Sequence, residues 1–177
     1  MIRRFARPYA RAIMDVTGSP EKAGNIRVEL TRFEQTRRAA GDLQEMYANP
    51  GIEVDSKISV TKSIAKRLEL SETTVKVLEV LIRNRRINDL DSVVDALAAM
   101  IRQATGTLAA QVRTAHRLTD QELKTLRRLL EEKFARKVEL EVSVDPGLLG
   151  GFVAKVESEV YDASVAGKIN KFRESLM

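Results

Sequence analysis

A chain of 177 residues that is 44% hydrophobic and 31% charged has room for one large or two small globular domains, and its balance excludes a disordered segment. It has no cysteine, which excludes disulfides and thiolate chemistry; one histidine, His116, which excludes a His-based metal cluster; and no apolar run near the ~18 residues of a bilayer span. The net charge of +5 divides at Gly106 into 18 basic against 14 acidic residues before it and 12 against 11 after, a mild bias toward acidic partners that is too interleaved with acids to demand nucleic acid.

The start, Met1 to Arg11, is rich in arginine and poor in acids, as transit peptides are, but it lacks their serine and its apolar pattern runs straight on, so it is read as a mature first helix from Phe5 to Val16. Pro8 is tolerable there only within the first turn. At 100° per residue Phe5, Ala6, Tyr9, Ala10, Ala12, Ile13, Met14 and Val16 span about 200° of the wheel, more than the roughly 100° stripe of a one-sided surface helix. Ser19-Pro20-Glu21 is a cap with proline at the first helical position, opening a helix to about Ala39 with Ile26, Leu30 and Phe33 inward and Gly41 at its end. A short piece from Leu43 to Ala48 stops at the breaker Asn49-Pro50-Gly51, and Asp55 or Ser56 is expected to cap the next helix, which carries Ile58, Ile64, Ala65 and Leu68.

Ser71-Glu72 caps a fifth helix, Thr73 to Asn84, whose Val75, Leu78 and Ile82, extended by Val77, Val80 and Leu81, cover about 220° of arc and leave Lys76, Glu79 and Arg83 as a narrow polar strip. A sixth runs from about Asp89 and closes at Gly106. Two helices with surplus apolar arc have either a fully internal position or a partner groove to fill. Past Gly106 the pattern changes: a strand from Thr107 to Ala115, a capping box at Thr119–Glu122 opening an amphipathic helix, the strictly alternating strand Val138–Val144, turns through Asp145-Pro146-Gly147 and Gly150-Gly151, a strand Phe152–Val156, and a last helical segment entered through Tyr161–Val165. The fold class is therefore mainly α with a small α+β part. Residues 1–105 form a six-helix bundle, and residues 106–177 a domain of a few strands and two helices. At about 70 residues the second is expected to lean on a neighbour.

No catalytic constellation emerges. Gly150-Gly151 lacks the P-loop and dinucleotide spacings, Asp145 and Asp162 stand where aspartate caps or turns, and His116 has no partner at a recognisable spacing. Arg83-Asn84-Arg85-Arg86 is the densest basic patch, either a solvated helix end or a contact for an acidic partner or nucleic acid.

Three stretches resemble one family. Ala6-Arg7-Pro8-Tyr9-Ala10-Arg11-Ala12 is similar to the opening helix of the delta subunit of F-type ATP synthases, called OSCP in mitochondria, and Asn84-x-Arg86-Ile87 followed by Leu90 to its fifth-to-sixth helix junction. Lys137-Val138, Val144-Asp145-Pro146-x-Leu148-x-Gly150-Gly151 and Asp162-x-Ser164-Val165 resemble its C-terminal signature in order and spacing. The chain departs from it at Glu157 and Ala163, where the family commonly has glycine, and at Ala166, where it has a basic residue.

The resemblance implies a stator protein without catalysis or cofactor. Its N-terminal domain would sit on the catalytic head and hold N-terminal segments of the alpha subunits in a groove between helices one and five; its C-terminal domain would join the b (b/b′) subunits, completing a peripheral stalk that resists rotor torque. On that reading Tyr9, Ala12, Ile13, Val77 and Val80 line the groove with Lys76 and Arg86 on its rim, while Asp145, Pro146, Gly150, Gly151, Asp162 and Ser164 shape the C-terminal fold. One copy per complex, a monomer in isolation, no nucleic acid and no membrane span are expected. So is a place on the cytoplasmic side of the bacterial inner membrane, held through the ATP synthase complex. A basic helical RNA-binding or antitermination-like module is the competing reading, and its affinity would fall steeply with salt.

Overall fold

The computed structural model describes residues 5–156, 159–165 and 167. It is mostly helical with a small four-stranded sheet, and divides between Ala104 and Thr105 into two compact units. The first holds α1 (Ala6–Thr17), α2 (Pro20–Ala39), α3 (Gly41–Ala48), α4 (Val54–Arg67), α5 (Glu72–Arg83), a 3-10 turn (Ile87–Asp89) and α6 (Leu90–Thr105).

Local chemistry sets these boundaries. Gly18 closes α1 in the left-handed region at φ 65, donating its N–H to Met14 O, and Ser19 then caps α2 by accepting from the Lys22 N–H at 3.3 Å. Gly41, expected to end the second helix, instead begins α3; the chain turns one residue earlier, at the extended Ala40. Neither Asp55 nor Ser56 caps α4: it starts after Glu53 with no side-chain cap. The end of α3 is held from below by Lys57, whose buried amine donates to Tyr47 O at 3.1 Å and Asn49 O at 2.7 Å, satisfying carbonyls that α3 leaves open.

The core of this unit is one cluster in which Leu30, Phe33, Leu78, Leu81, Leu90, Val93 and Leu97 are fully buried, with Ala6, Ala10 and Ala23 adding little bulk beside them. Two polar networks lie among these apolar contacts. Tyr47 meets Thr61 at 2.6 Å, and burial pushes its phenol up. Glu34 and Arg37, both nearly buried on α2, form a two-pronged pair at 2.8 and 2.9 Å; Arg37 also reaches Asn88 at 3.3 Å, and Arg38 reaches both Glu34 and Asp91.

A third polar contact joins α2 to the start of α5. The Glu29 carboxylate accepts from the Ser71 N–H at 2.9 Å, the Ser71 hydroxyl at 2.7 Å and the Thr74 hydroxyl at 2.5 Å. Partial burial works to raise this carboxyl, but the bonds from Thr74 and Ser71, with Arg32 nearby, outweigh it and hold it below its ordinary 4.5. A depressed carboxyl stabilises the fold above its unfolded value and loses that contribution as pH falls through the folded one. Glu29→Gln is therefore expected to cost about 1 kcal/mol near pH 7. In urea titrations across pH the gap to the parent protein should close in acid, and a gap unchanged by pH would contradict this role.

In the second unit β1 (Leu108–Thr114), α7 (Asp120–Phe134), β2 (Val138–Val144), β3 (Phe152–Val156) and β4 (Glu159–Asp162) follow in chain order, and the sheet order is β2-β1-β3-β4. β1 and β2 are parallel, so the connection between them must cross over, and α7 is that crossover. Its start is the expected capping box, with Thr119 and Glu122 each satisfying the other's backbone N–H. The Thr119 backbone and hydroxyl bonds hold the Glu122 carboxyl below its ordinary range.

Leu108, Ala110, Val112, Val138, Ala154 and Val156 pack with Leu126 and Leu130 of α7. β4 is a correction to the sequence reading, which ran Tyr161 and Asp162 directly into a helix. The segment is held as a strand by antiparallel pairing with β3 and by Tyr161, which packs on Phe152 at 6.0 Å with the Lys133 ammonium 3.7 Å from its ring. The expected last helix, Glu157 and Ala166 lie outside the described residues, except that Val165 and Gly167 are helical.

Candidate partner-binding site

α1 buries Ala6, Ala10 and Ile13, and α5 buries Thr74, Leu78, Leu81 and Ile82. Each helix keeps apolar side chains beyond that face. On α1, Tyr9 is half-buried at the edge of the core, Ala12 is exposed and Val16 is 73% exposed; on α5, Val77 is half-buried and Val80 is 48% exposed. By helical spacing Tyr9, Ala12 and Val16 share one flank of α1, and Val77 and Val80 share one flank of α5. The other flank of α5 is tied to α4, where Glu79 pairs with Lys62 at 3.0 Å, and at its end Arg83 lies 3.8 Å from Asp55.

Of the expected groove residues, Ile13 is only 3% exposed and belongs to the core, so it fixes α1 in place and offers almost no surface. Lys76 is exposed beside Glu72 at 3.9 Å. Arg86 lies over the Phe5 ring at 4.4 Å and pairs with Asp89 at 3.5 Å, joining the start of α1 to the segment after α5. The patch Arg83–Arg86 is thus partly spent on internal contacts.

The sequence reading predicted α6 but gave it no part in the site. Between it and α1 lies an open hollow of about 640 Å³, walled by Arg7, Arg11 and Ala12 on one side and Ala96, Ala99 and Met100 on the other. The run Ala96-Leu97-Ala98-Ala99 is the signal that could have found it, since Ala96 and Ala99 put small side chains into its lining.

The C-terminal signature residues fall into two hydrogen-bonded clusters. Asp145 sends its N–H to Thr114 O at 2.8 Å, accepts from the Gly147 N–H at 3.0 Å and pairs with Arg113 at 3.1 Å, in a turn with Pro146 at its second position. Gly151, at φ 77, lies so close to the following segment that a Cβ would stand 2.4 Å from Ala163 O. That segment returns across the glycines: Val165 N–H donates to Gly150 O and Ala163 N–H to Phe152 O, both at 3.0 Å. Asp162 accepts from the Ser164 N–H at 2.8 Å and Ser164 Oγ from the Gly167 N–H at 2.9 Å, which caps the turn and starts a helix.

Among the described residues no group of three His, Cys, Asp or Glu could hold a metal ion, and no helix is long and apolar enough to cross a membrane. His116 is exposed, 4.0 Å from Glu122.

Residues 5–176 match the family model described as ATP synthase delta (OSCP) subunit. The curated relatives include the ATP synthase subunit delta of Citrifermentans bemidjiense, 29% identical over 97% of this chain and 96% of that one, and the ATP synthase subunit delta of Chelativorans sp., 27% identical over 99% and 95%. Among solved structures, a chain of the Toxoplasma gondii mitochondrial ATP synthase hexamer is 18% identical with a TM-score of 0.70, covering 98% of both chains; that likeness is one of fold.

Proposed function

The chain belongs to the ATP synthase delta (OSCP) subunit family, non-catalytic subunits of the F-type ATP synthase peripheral stalk, and we propose how it serves as the stator. The helical unit holds the N-terminal segment of an alpha subunit as an amphipathic helix laid between α1 and α5. The C-terminal unit joins the b (b/b′) subunits. The link resists rotor torque, so that proton flow drives synthesis instead of turning the head. The protein acts as one copy per complex, on the cytoplasmic side of the membrane, held there through its partners.

The observation that carries this reading is the apolar flank of α5, where Val80 is 48% exposed and Val77 beside it is half-buried at the edge of the core. A receiving groove for an amphipathic helix needs such side chains at helical spacing. Tyr9, Ala12 and Val16 supply the same on α1, and Lys76 sets a cation at the margin for an acidic partner residue, whereas Arg86, expected beside it, is already engaged by Asp89 and the Phe5 ring.

Stripped membranes that have lost this subunit test the stator role. Adding the protein back is expected to restore ATP-driven proton pumping, and restored binding without coupling would contradict it. A largely apolar groove also predicts that affinity for an alpha N-terminal peptide falls only severalfold between 50 and 200 mM salt, whereas counterion release from nucleic acid would cost about a thousandfold or more. The α1–α6 hollow is the other seat available on α1, and Met100→Asp distinguishes it: binding should survive that change if α5 forms the groove.

A further inference from the structure

The wall that α1 gives to the hollow beside α6 carries charges that its own helix does not use. Arg7 lies in the first turn of α1, which has no side-chain cap and no acidic residue, and a cation there opposes the helix dipole. Arg11 stands one turn further along the same wall, and like charges at that spacing repel. Both are exposed, and neither has an ion pair or hydrogen bond among the described residues. Asp15 closes the wall in the last turn of α1, likewise unpaired, where the dipole disfavours a carboxylate. By contrast α2, α5 and α7 each start with a capping hydroxyl and an acid in the first turn.

The α6 residues that line the hollow, Ala96, Ala99 and Met100 with Gln103, carry no charge. Their small side chains leave about 640 Å³ open beside α1. From Arg7 to Asp15 the wall is about 12 Å long, roughly two turns of helix. A helix laid along it would pack on the alanines at short range. It would also bring its own residues, one turn apart, opposite Arg7 and Arg11, which repeat at that same spacing.

We infer that the α1–α6 hollow seats a short amphipathic helix of a protein partner, with its small apolar side chains on Ala96 and Ala99 and two carboxylates one turn apart on Arg7 and Arg11. Each guanidinium can hold a carboxylate through two parallel N–H···O bonds. A third carboxylate at the next turn would meet Asp15, so the acidic stretch ends there. Nucleic acid fits less well. Among the described residues no aromatic side chain lines the hollow to stack a base, and Asp15 interrupts the track that a phosphate chain needs. The site is separate from the groove on α5, and its use does not depend on what that groove binds.

The probe is an alanine-based synthetic helix with two glutamates one turn apart, added to the full-length protein while backbone amide shifts are followed by NMR. Shifts are expected at Ala96, Ala99 and Met100, with binding about tenfold or more weaker when lysines replace the glutamates. Arg7→Glu removes the repulsion with Arg11 and puts an acid where the dipole favours one. It should therefore raise the melting temperature while weakening the glutamate helix about tenfold or more. An arginine that is merely solvated would give the first effect without the second. Arg7→Glu with Arg11→Glu should turn the preference to the lysine helix. Ala99→Leu, which fills the hollow, should abolish binding with both arginines in place. The inference is overturned if the folded parent protein shows no shifts on α6, if shifts fall only at Val77 and Val80, or if the lysine helix binds as well. It is equally overturned if any of these variants keeps the affinity and preference of the parent, or if a single-stranded RNA shifts the same amides at the same concentration.

Discussion

Gly151→Ala is expected to leave much of the C-terminal unit unfolded at 25 °C. The left-handed backbone at φ 77 costs an L-residue about 1–2 kcal/mol. The new Cβ would also stand 2.4 Å from Ala163 O and 3.0 Å from Ser164 Cα, backbone atoms that cannot rotate away, and overpacking of that kind adds about 1–3 kcal/mol. Units of about 70 residues rarely hold more than ~3–5 kcal/mol. Gly18→Ala is the control, since its φ of 65 is equally left-handed but nothing lies within 4 Å of the added carbon. Amide exchange over β1 and β3 should collapse toward the unfolded rate in Gly151→Ala, while Gly18→Ala should lose only about 1 kcal/mol in the helical unit. Equal losses in the two variants would show that the close approach at Ala163 does not matter.

Glu34→Leu should be the most damaging single change in the helical unit. It strands Arg37, 8% exposed in its side chain, with Asn88 as the hydrogen-bond partner left to it among the described residues, and breaking one side of a buried pair costs about 3–5 kcal/mol. Changing both, Glu34→Leu with Arg37→Met, removes the uncompensated charge and should recover most of that loss. Urea midpoints for the two single variants and the double complete the cycle. A double variant as unstable as the sum of the singles would mean that the pair acts through something other than mutual neutralisation.

The helices were legible because their signals are local. Ser19-Pro20, Ser71 and Thr119 with Glu122 act within three residues of themselves, and the structure has each as a cap. What escaped the sequence depends on distant partners. The start of α4 carries no side-chain cap to read, and β4 is four residues long, held by β3 and by Lys133 on Tyr161. The alternation of Val138–Val144 marked a strand correctly, but nothing local said that it would be an edge, where Val142 and Val144 are exposed.

The candidate groove was legible to the same degree. Surplus apolar arc on α1 and α5 appears in their spacing. The burial of Ile13, the exposure of Val16 and the hollow beside α6 depend on how the helices pack, and no wheel reports that.

Calorimetric titration of the full-length protein with a peptide from the N-terminus of the cognate alpha subunit, beside Val80→Asp, tests the stator account most directly. Val80 is exposed, so the aspartate should leave the fold and its melting temperature unchanged while placing a charge in the groove. The account predicts tight binding by the parent protein and a loss of about a hundredfold or more in the variant. A folded parent protein that does not bind the peptide, or a variant that binds it equally well, would contradict the placement of the alpha segment on α5.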